Sequence, residues 1–505
     1  MKIIFSQYPI QMSSVVLGLP KKLQPQPEAA LSPDCFSQMT RVFPNNVNTI
    51  TSSVFTTATA TGSYTPSGAF PVQEIRFSVP SGMGKNVFID TAKSRLNFRI
   101  KVQNSIDTGA TTGQGFKMFL ESSAYSWFDR IQTLNQNGVA IDDVVGLAQI
   151  MTHKNNYEFD SAERDSMWQY GFRAEVDDTA DFSGANSVNY LQGHALYDQS
   201  GSKVPTTAKY FDYSVPLPSS LLGMGARNMC PIGSISALNL SLWTNNLIPV
   251  AYQIITTALT TAAGFTFTMD NISVDLNYIY LDQKSASLLN MGREYYVHSI
   301  TNRLSTGTIA SGTSGQVSSL IGLRGRSVRS LATRFTESAL TVAGSINGVW
   351  DSKLVPATQM NYFLNAKDRV PNVVHNSISA PSTIFEHSLQ AAEAFSPDKT
   401  KFGGTVGSFC NAFAGTSTTG LSEWANAAGT GTVPTSLSAF CFAEDLRVVS
   451  SSVILDGYDL STSASHYLEL NIGNALTNGI NISYISANDI IYVIDMMAGT
   501  VEARL

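Results

Sequence analysis

Apolar and polar residues alternate with period two along most of the chain. Ile75, Phe77 and Val79 flank Arg76 and Ser78, and Leu96, Phe98, Ile100 and Val102 flank Asn97, Arg99 and Lys101. Side chains of a strand point to opposite faces in turn, so this pattern predicts half-buried strands. It returns at Leu238, Leu240 and Leu242, and again from Ile272 through Val274, Leu276, Tyr278 and Tyr280. After residues 282–294 (DQKSASLLNMGRE), which break the alternation, strands resume at Tyr295, Val297 and Leu320 to Leu323. They run through SAFCFAEDLRV, SSVILDG and HYLELNIG to IIYVIDMMAGTVEARL, whose near-continuous apolar run predicts a strand buried on both faces. Helical spacing is sparse. It predicts one short helix in DDVVGLAQIMTHKNN after residue 141 and one in STIFEHSLQAAEAF, where Ser382 or Thr383 can cap and Ile384, Leu389 and Ala392 recur.

These signals divide the chain into residues 1–71, a β-sandwich over 72–283, a connector at 284–294 and a second sandwich over 295–505. A length of 505 residues fits about two or three domains. Eight of the 19 prolines fall within the first 71 residues, where proline blocks both helix and central strand. Two readings stand for this stretch: an extended arm ordered only against neighbouring subunits, or a tail without function.

Composition adds a reason for assembly. Charged residues make up 14% of the chain, against roughly 25% in an average soluble protein. A surface so poor in charge fits large areas that meet sister subunits. The net charge of −6 argues against wholesale coating of nucleic acid, which needs a basic excess. Cys35, Cys230, Cys410 and Cys441 are far apart with no CxxC pair, as expected of buried thiols in a reducing compartment. The opening MKIIFSQYPIQ is cut off by Ser6, Gln7 and Pro9 before a signal-peptide core forms, and no stretch approaches the roughly 18 apolar residues of a membrane span. The expectation is a chain that is neither secreted nor membrane-spanning.

Candidate chemistry is thin. The six histidines, at 153, 194, 298, 375, 387 and 466, show no HExxH or paired-ligand spacing, and no GxSxG elbow is present. The stretch GLRGRS at 322–327 lacks the GK[ST] ending of a phosphate loop and reads as a turn or bulge. Eight acids between Glu158 and Asp181 do not match calcium-loop spacing and read as a solvated excursion. Trp127 and Phe128 beside Asp129 and Arg130 read as core rather than a sugar platform. Sequons at Asn239, Asn271 and Asn481 lie in or beside strand patterns and read as chance. No catalytic residue, cofactor or metal ligand is assigned. Arg324, Arg326, Arg329 and Arg334 form one local basic cluster, and on a strand Arg324 and Arg326 would share a face. Contact with lipid headgroups or packaged nucleic acid is one reading, and pairing with acids at an interface or plain solvation is the other.

The succession NVFIDTAKSRLNFRI, SAYSWFDRIQTLNQNGVAIDD and a long excursion resembles the first jelly roll of double jelly-roll major capsid proteins. INGVWDSKLVPATQMNY, FAEDLRV, LDGYDLS and DIIYVIDMMAGTVEARL resemble the second. Members of that family include capsid proteins of polinton-like viruses, virophages, adenoviruses and tailless membrane-containing phages. The resemblance covers residues 72–505. It implies an all-β chain of two consecutive eight-stranded jelly-roll sandwiches with short helices in loops and an extended N-terminal arm. It further implies pseudo-hexameric homotrimers that tile an icosahedral virion shell beside penton and minor capsid proteins. Contact with an internal membrane or genome would be made at the inner surface, residues 155–210 would form an outward tower, and residues 1–71 would lie at the base. A β-sandwich adhesin or glycan-binding protein is the alternative.

Overall fold

The computed structural model describes residues 35–56, 70–104, 116–121, 124–157, 193–199, 208–245, 250–254, 264–289, 292–337, 357–364, 367–368, 442–447, 457–461, 466–476 and 479–504. Among these, helix is confined to short pieces, and none is long and apolar enough to cross a membrane.

The strands fall into two sandwiches with one topology. The first uses, in chain order, Phe36–Val42, Glu74–Val79, Val87–Asn104, Phe128–Asn135, Ala140–Val145, Lys209–Pro216, Leu238–Thr244 and Gly264–Tyr280. In one sheet the first strand pairs with the eighth, the eighth with the third and the third with the sixth. In the other sheet the order is second, seventh, fourth, fifth. The second sandwich uses Glu294–Ile309, Gly315–Leu320, Val328–Glu337, Ala357–Leu364, Lys367–Asp368, Phe442–Asp445, Tyr467–Ile472 and Ile480–Asp495, and its two sheets repeat both orders. This is the jelly-roll arrangement, present twice. A further strand, Thr500–Arg504, pairs back on Ile480–Asp495. Three strands from the first sandwich's excursions, Phe116–Glu121, Gly193–Gln199 and Val250–Ile254, form a small separate sheet.

The alternation read from the sequence is the alternation of burial. Glu74–Val79 and Tyr467–Ile472 each bury every second side chain. Ile480–Asp495 is buried almost throughout, on both faces, and lies between the first and third strands of its sheet. Aromatic rings join the facing sheets of the first sandwich: Phe98 meets Phe128 at 5.0 Å, and Trp127 meets Phe267 at 5.5 Å. Trp127 and Phe128 are thus core, and full burial of two such side chains contributes several kcal/mol, on the order of 2 each. In the second sandwich Tyr362 stacks on Phe442 at 4.7 Å, and its hydroxyl donates to the Phe442 carbonyl at 2.8 Å.

Two readings change. Residues 36–42 are not part of a free arm, because all seven pair antiparallel with Val274–Tyr280 as the first strand of the first sandwich, which therefore begins ahead of residue 72. Residues 1–34 lie outside the described residues. Asp142–Val145 belong to a strand, and the helix starts only at Leu147, after Gly146 turns the chain with φ +73°. Leu147, Ile150 and Met151 then bury one helical face. The connector holds the helix Gln283–Leu289. The helix expected from 382, the acids of 158–181 and most of 155–210 fall outside the described residues.

Candidate functional site: two sheet edges and the arginine segment

The first strand of each sandwich is an edge strand, and an edge exposes a row of backbone groups that must find partners. In the second sandwich the partner comes from the first. The loop between Lys209–Pro216 and Leu238–Thr244 lays Gly225–Asn228 antiparallel along Tyr296–Ile300, with Ala226 bridged to Ser299. The Arg227 N–H donates to the His298 carbonyl at 2.7 Å, and the Ile300 N–H donates to Gly225 at 2.9 Å. Asn228 completes the pairing with its side chain. Its Oδ1 accepts from the His298 N–H at 2.9 Å, and its Nδ2 donates to the Tyr296 carbonyl at 2.9 Å. A carboxamide carries one acceptor and one donor group, so it can stand in for a strand's backbone.

Glycine makes this approach feasible. A Cβ on Gly225 would sit 2.5 Å from the Ile300 oxygen and 2.7 Å from Ser220 Cα. Nearby, a Cβ on Gly146 would meet Leu304 Cδ2 at 2.0 Å. Beneath the paired edge, Asp142 of the first sandwich is buried. Its Oδ2 accepts from the Ser220 N–H at 3.0 Å and its Oδ1 from the Thr301 hydroxyl at 3.4 Å. The Ser220 hydroxyl is hydrogen-bonded to the Tyr492 phenol, so one polar knot ties both sandwiches. Burial pushes the Asp142 carboxyl up and the Tyr492 phenol well up, which favours their neutral forms. Gln149 of the first helix accepts from Ser483 at 3.0 Å on its side chain and from Arg334 at 3.5 Å on its carbonyl. His153, on the same helix, is pushed down to about 3 by burial and then by the cations Arg334 and Lys154, and so stays neutral. At another point of the seam the Ser236 N–H donates to Gly499 at 3.0 Å, and Phe88 packs edge-on against Tyr295 at 6.0 Å. Backbone pairing, a polar knot and aromatic packing together couple the sandwiches more tightly than a flexible linker does.

The four arginines divide into two pairs. Arg329 is buried, and its Nη1 lies 3.3 Å from Asp489, which also accepts from Ser327 at 2.7 Å. Arg334 is buried at the seam. Arg324 and Arg326 are exposed, and they lie outside any strand on a segment that still alternates: Ile321, Leu323, Gly325 and Ser327 point in, and Gly322, Arg324 and Arg326 point out. Arg303 braces this segment by donating to the Arg324 carbonyl at 2.6 Å. Sequence reasoning missed Asn228, Ser220 and Tyr492. Two are polar residues in a loop without periodicity, and the third sits inside an apolar run. Among the described residues no three His, Cys, Asp or Glu side chains gather as a metal site.

The outer side of Phe36–Val42 is different. Among the described residues no strand pairs with it, and Phe36, Met39 and the following Phe43 are 57%, 50% and 63% exposed.

No protein-family model matches this chain, and no curated protein matches it by sequence. Among solved structures it is similar to the mavirus major capsid protein, at 9% identity over 100% of this chain and 97% of that one, with a TM-score of 0.50. It is also similar to a chain in the structure of the Sputnik virophage, at 12% identity over 100% and 93%, with a TM-score of 0.50. At such identities the likeness is one of fold, and it extends over both sandwiches.

Proposed function

We propose that this chain is a major capsid protein that self-assembles into homotrimers, each with a roughly hexagonal outline, that tile an icosahedral virion shell. The observation that carries this reading is the duplicated jelly roll with a fixed seam. Two sandwiches of one topology, held at a set angle by Gly225–Asn228 and the Asp142 knot, give three copies six similar sides. The low charge of the chain suits a surface that is largely covered by neighbours. The mavirus protein of similar fold is by name a major capsid protein.

In this reading the function is geometric and no residue is catalytic. Partners are other copies of the chain, with penton and minor capsid proteins where the lattice changes. Residues 155–210 form the outward tower. Arg324 and Arg326, the two arginines left exposed, supply a contact for phosphate groups of an internal membrane or a packaged genome. The test is native mass measurement of the purified chain followed by negative-stain imaging. Trimers of the 54.4 kDa chain that enter shells are expected. A monomer that binds a sugar and never assembles would overturn the reading in favour of a glycan-binding sandwich.

A further inference from the structure

The duplicated topology sets the two edges in a common register. In the first sandwich Cys230 bonds both ways with Ile89, at 2.8 and 3.1 Å, Ile89 pairs with Tyr278, and Tyr278 pairs with Gln38. In the second, Tyr458 bonds both ways with Val328, at 2.9 and 2.9 Å, Val328 pairs with Asn488, and Asn488 pairs with Thr301. Each path runs from the loop between the sixth and seventh strands, across the third and eighth, to the first. Tyr458 therefore corresponds to Cys230, and Gln38 corresponds to Thr301.

Gly225–Asn228, which covers the second sandwich's edge, ends two residues before Cys230. The stretch ending two residues before Tyr458 is Val453, Ile454, Leu455 and Asp456, which lies outside the described residues. Ser299, the residue bridged to Ala226, lies two residues before Thr301, and its counterpart is Phe36, two before Gln38. Covered, Ser299 is 2% exposed; Phe36, with its outer side open, is 57% exposed and stacked flat on Tyr280 at 4.6 Å.

We infer that the start of this open edge, at Cys35–Ser37, receives residues 453–456 of a second copy of this chain, as His298–Ile300 receives Gly225–Asn228 of its own. The occupant suits the edge. Ile454 falls opposite the exposed Phe36, an apolar pair on one face, and Asp456 holds the position from which Asn228 accepts an N–H. Each copy has one such stretch and one such edge, so the contact runs head to tail. Rings of three copies then alternate a joint within a chain and a joint between chains. The inference rests on the assembly reading above and names the contact that closes the trimer.

Disulfide trapping on the full chain tests it. Directly opposed residues in an antiparallel pair have Cα atoms about 4.5–5.5 Å apart, within disulfide reach. Phe36→Cys with Ile454→Cys, in a Cys35→Ser background, should give covalent dimers and trimers on oxidation, with the ladder ending at three copies. Either cysteine alone should give none. Native trimers without cross-linking in the double variant would overturn the inference and leave the assembly reading intact. Monomers throughout would sink both. A cross-link within one chain, or a ladder running past three, would also overturn the inference. Ile454→Arg supplies an independent measurement: it should turn trimers into monomers with an unchanged circular dichroism spectrum, and trimers at the parent's level would count against the contact.

Discussion

Phe36–Val42 and Glu294–Ile309 occupy the same place in two copies of one topology, and what covers their outer edges differs completely. Glu294–Ile309 is finished by a neighbouring loop of the same chain, so Tyr296, His298 and Ser299 are buried. Phe36–Val42 has four consecutive exposed residues at its start. A jelly roll leaves its edges to be managed from outside the sandwich, and here one is managed within the chain. The covered edge shows what the open one lacks. Substitutions at Gly225 and Asn228 test how far the cover of Glu294–Ile309 depends on particular residues, and one at Asn46 supplies an exposed comparison.

The largest effect is expected from Gly225→Val. The new Cβ would meet backbone on two sides, at the Ile300 oxygen and at Ser220 Cα, and backbone cannot rotate out of the way as a flexible side chain can. The loop must lift, which breaks the pairing with His298 and Ile300. Overpacking together with lost pairing should cost about 4 kcal/mol or more. The readouts are the denaturant midpoint and amide exchange at His298 and Ile300. Protected amides at the parent's level would mean that the loop is not what closes this edge.

Asn228→Ala comes next. It removes both side-chain bonds and leaves the His298 N–H and the Tyr296 carbonyl at a half-buried position without their partner. Each such loss costs about 1–3 kcal/mol, so a destabilisation of roughly 2–4 kcal/mol is expected by urea unfolding. Asn228→Asp should recover only part of it, because a carboxylate can accept from His298 but cannot donate to Tyr296.

The same contrast explains what could be read from the sequence. Strands buried on one face, such as Glu74–Val79 and Leu238–Thr244, announce themselves by alternation, and the last long strand does so by continuous apolarity. Phe36–Val42 is exposed on both faces over most of its length, so nothing selects apolar residues at every second position, and FSQMTRV passes for part of an arm. Asp142 looked like the start of a helix because the turn at Gly146 reverses the chain within a single apolar run. The arginine cluster was legible as charge but not as structure. Arg329 and Arg334 owe their burial to Asp489 and Gln149, which are 160 and 185 residues away. The fold was thus visible wherever one face meets the core. The seam was not, because its residues meet partners far along the chain.

The smallest effect is expected at the other asparagine clamp. Asn46 binds the edge of Glu74–Val79 in the same two-handed way, donating from Nδ2 to the Glu74 carbonyl at 2.8 Å and accepting from the Arg76 N–H at 2.9 Å. The geometry matches that of Asn228, but Asn46 and Arg76 are exposed. When Asn46→Ala removes the clamp, water can reach both backbone groups, so only the net value of the bonds is lost, about 0.5–1 kcal/mol. Urea unfolding of Asn46→Ala beside Asn228→Ala separates the geometry of the clamp from its burial. Equal losses would mean that the bond lengths alone set the energy and that water reaches both edges equally. A loss at Asn228 at least twice that at Asn46 would place the difference in the cover that the first sandwich gives to the second.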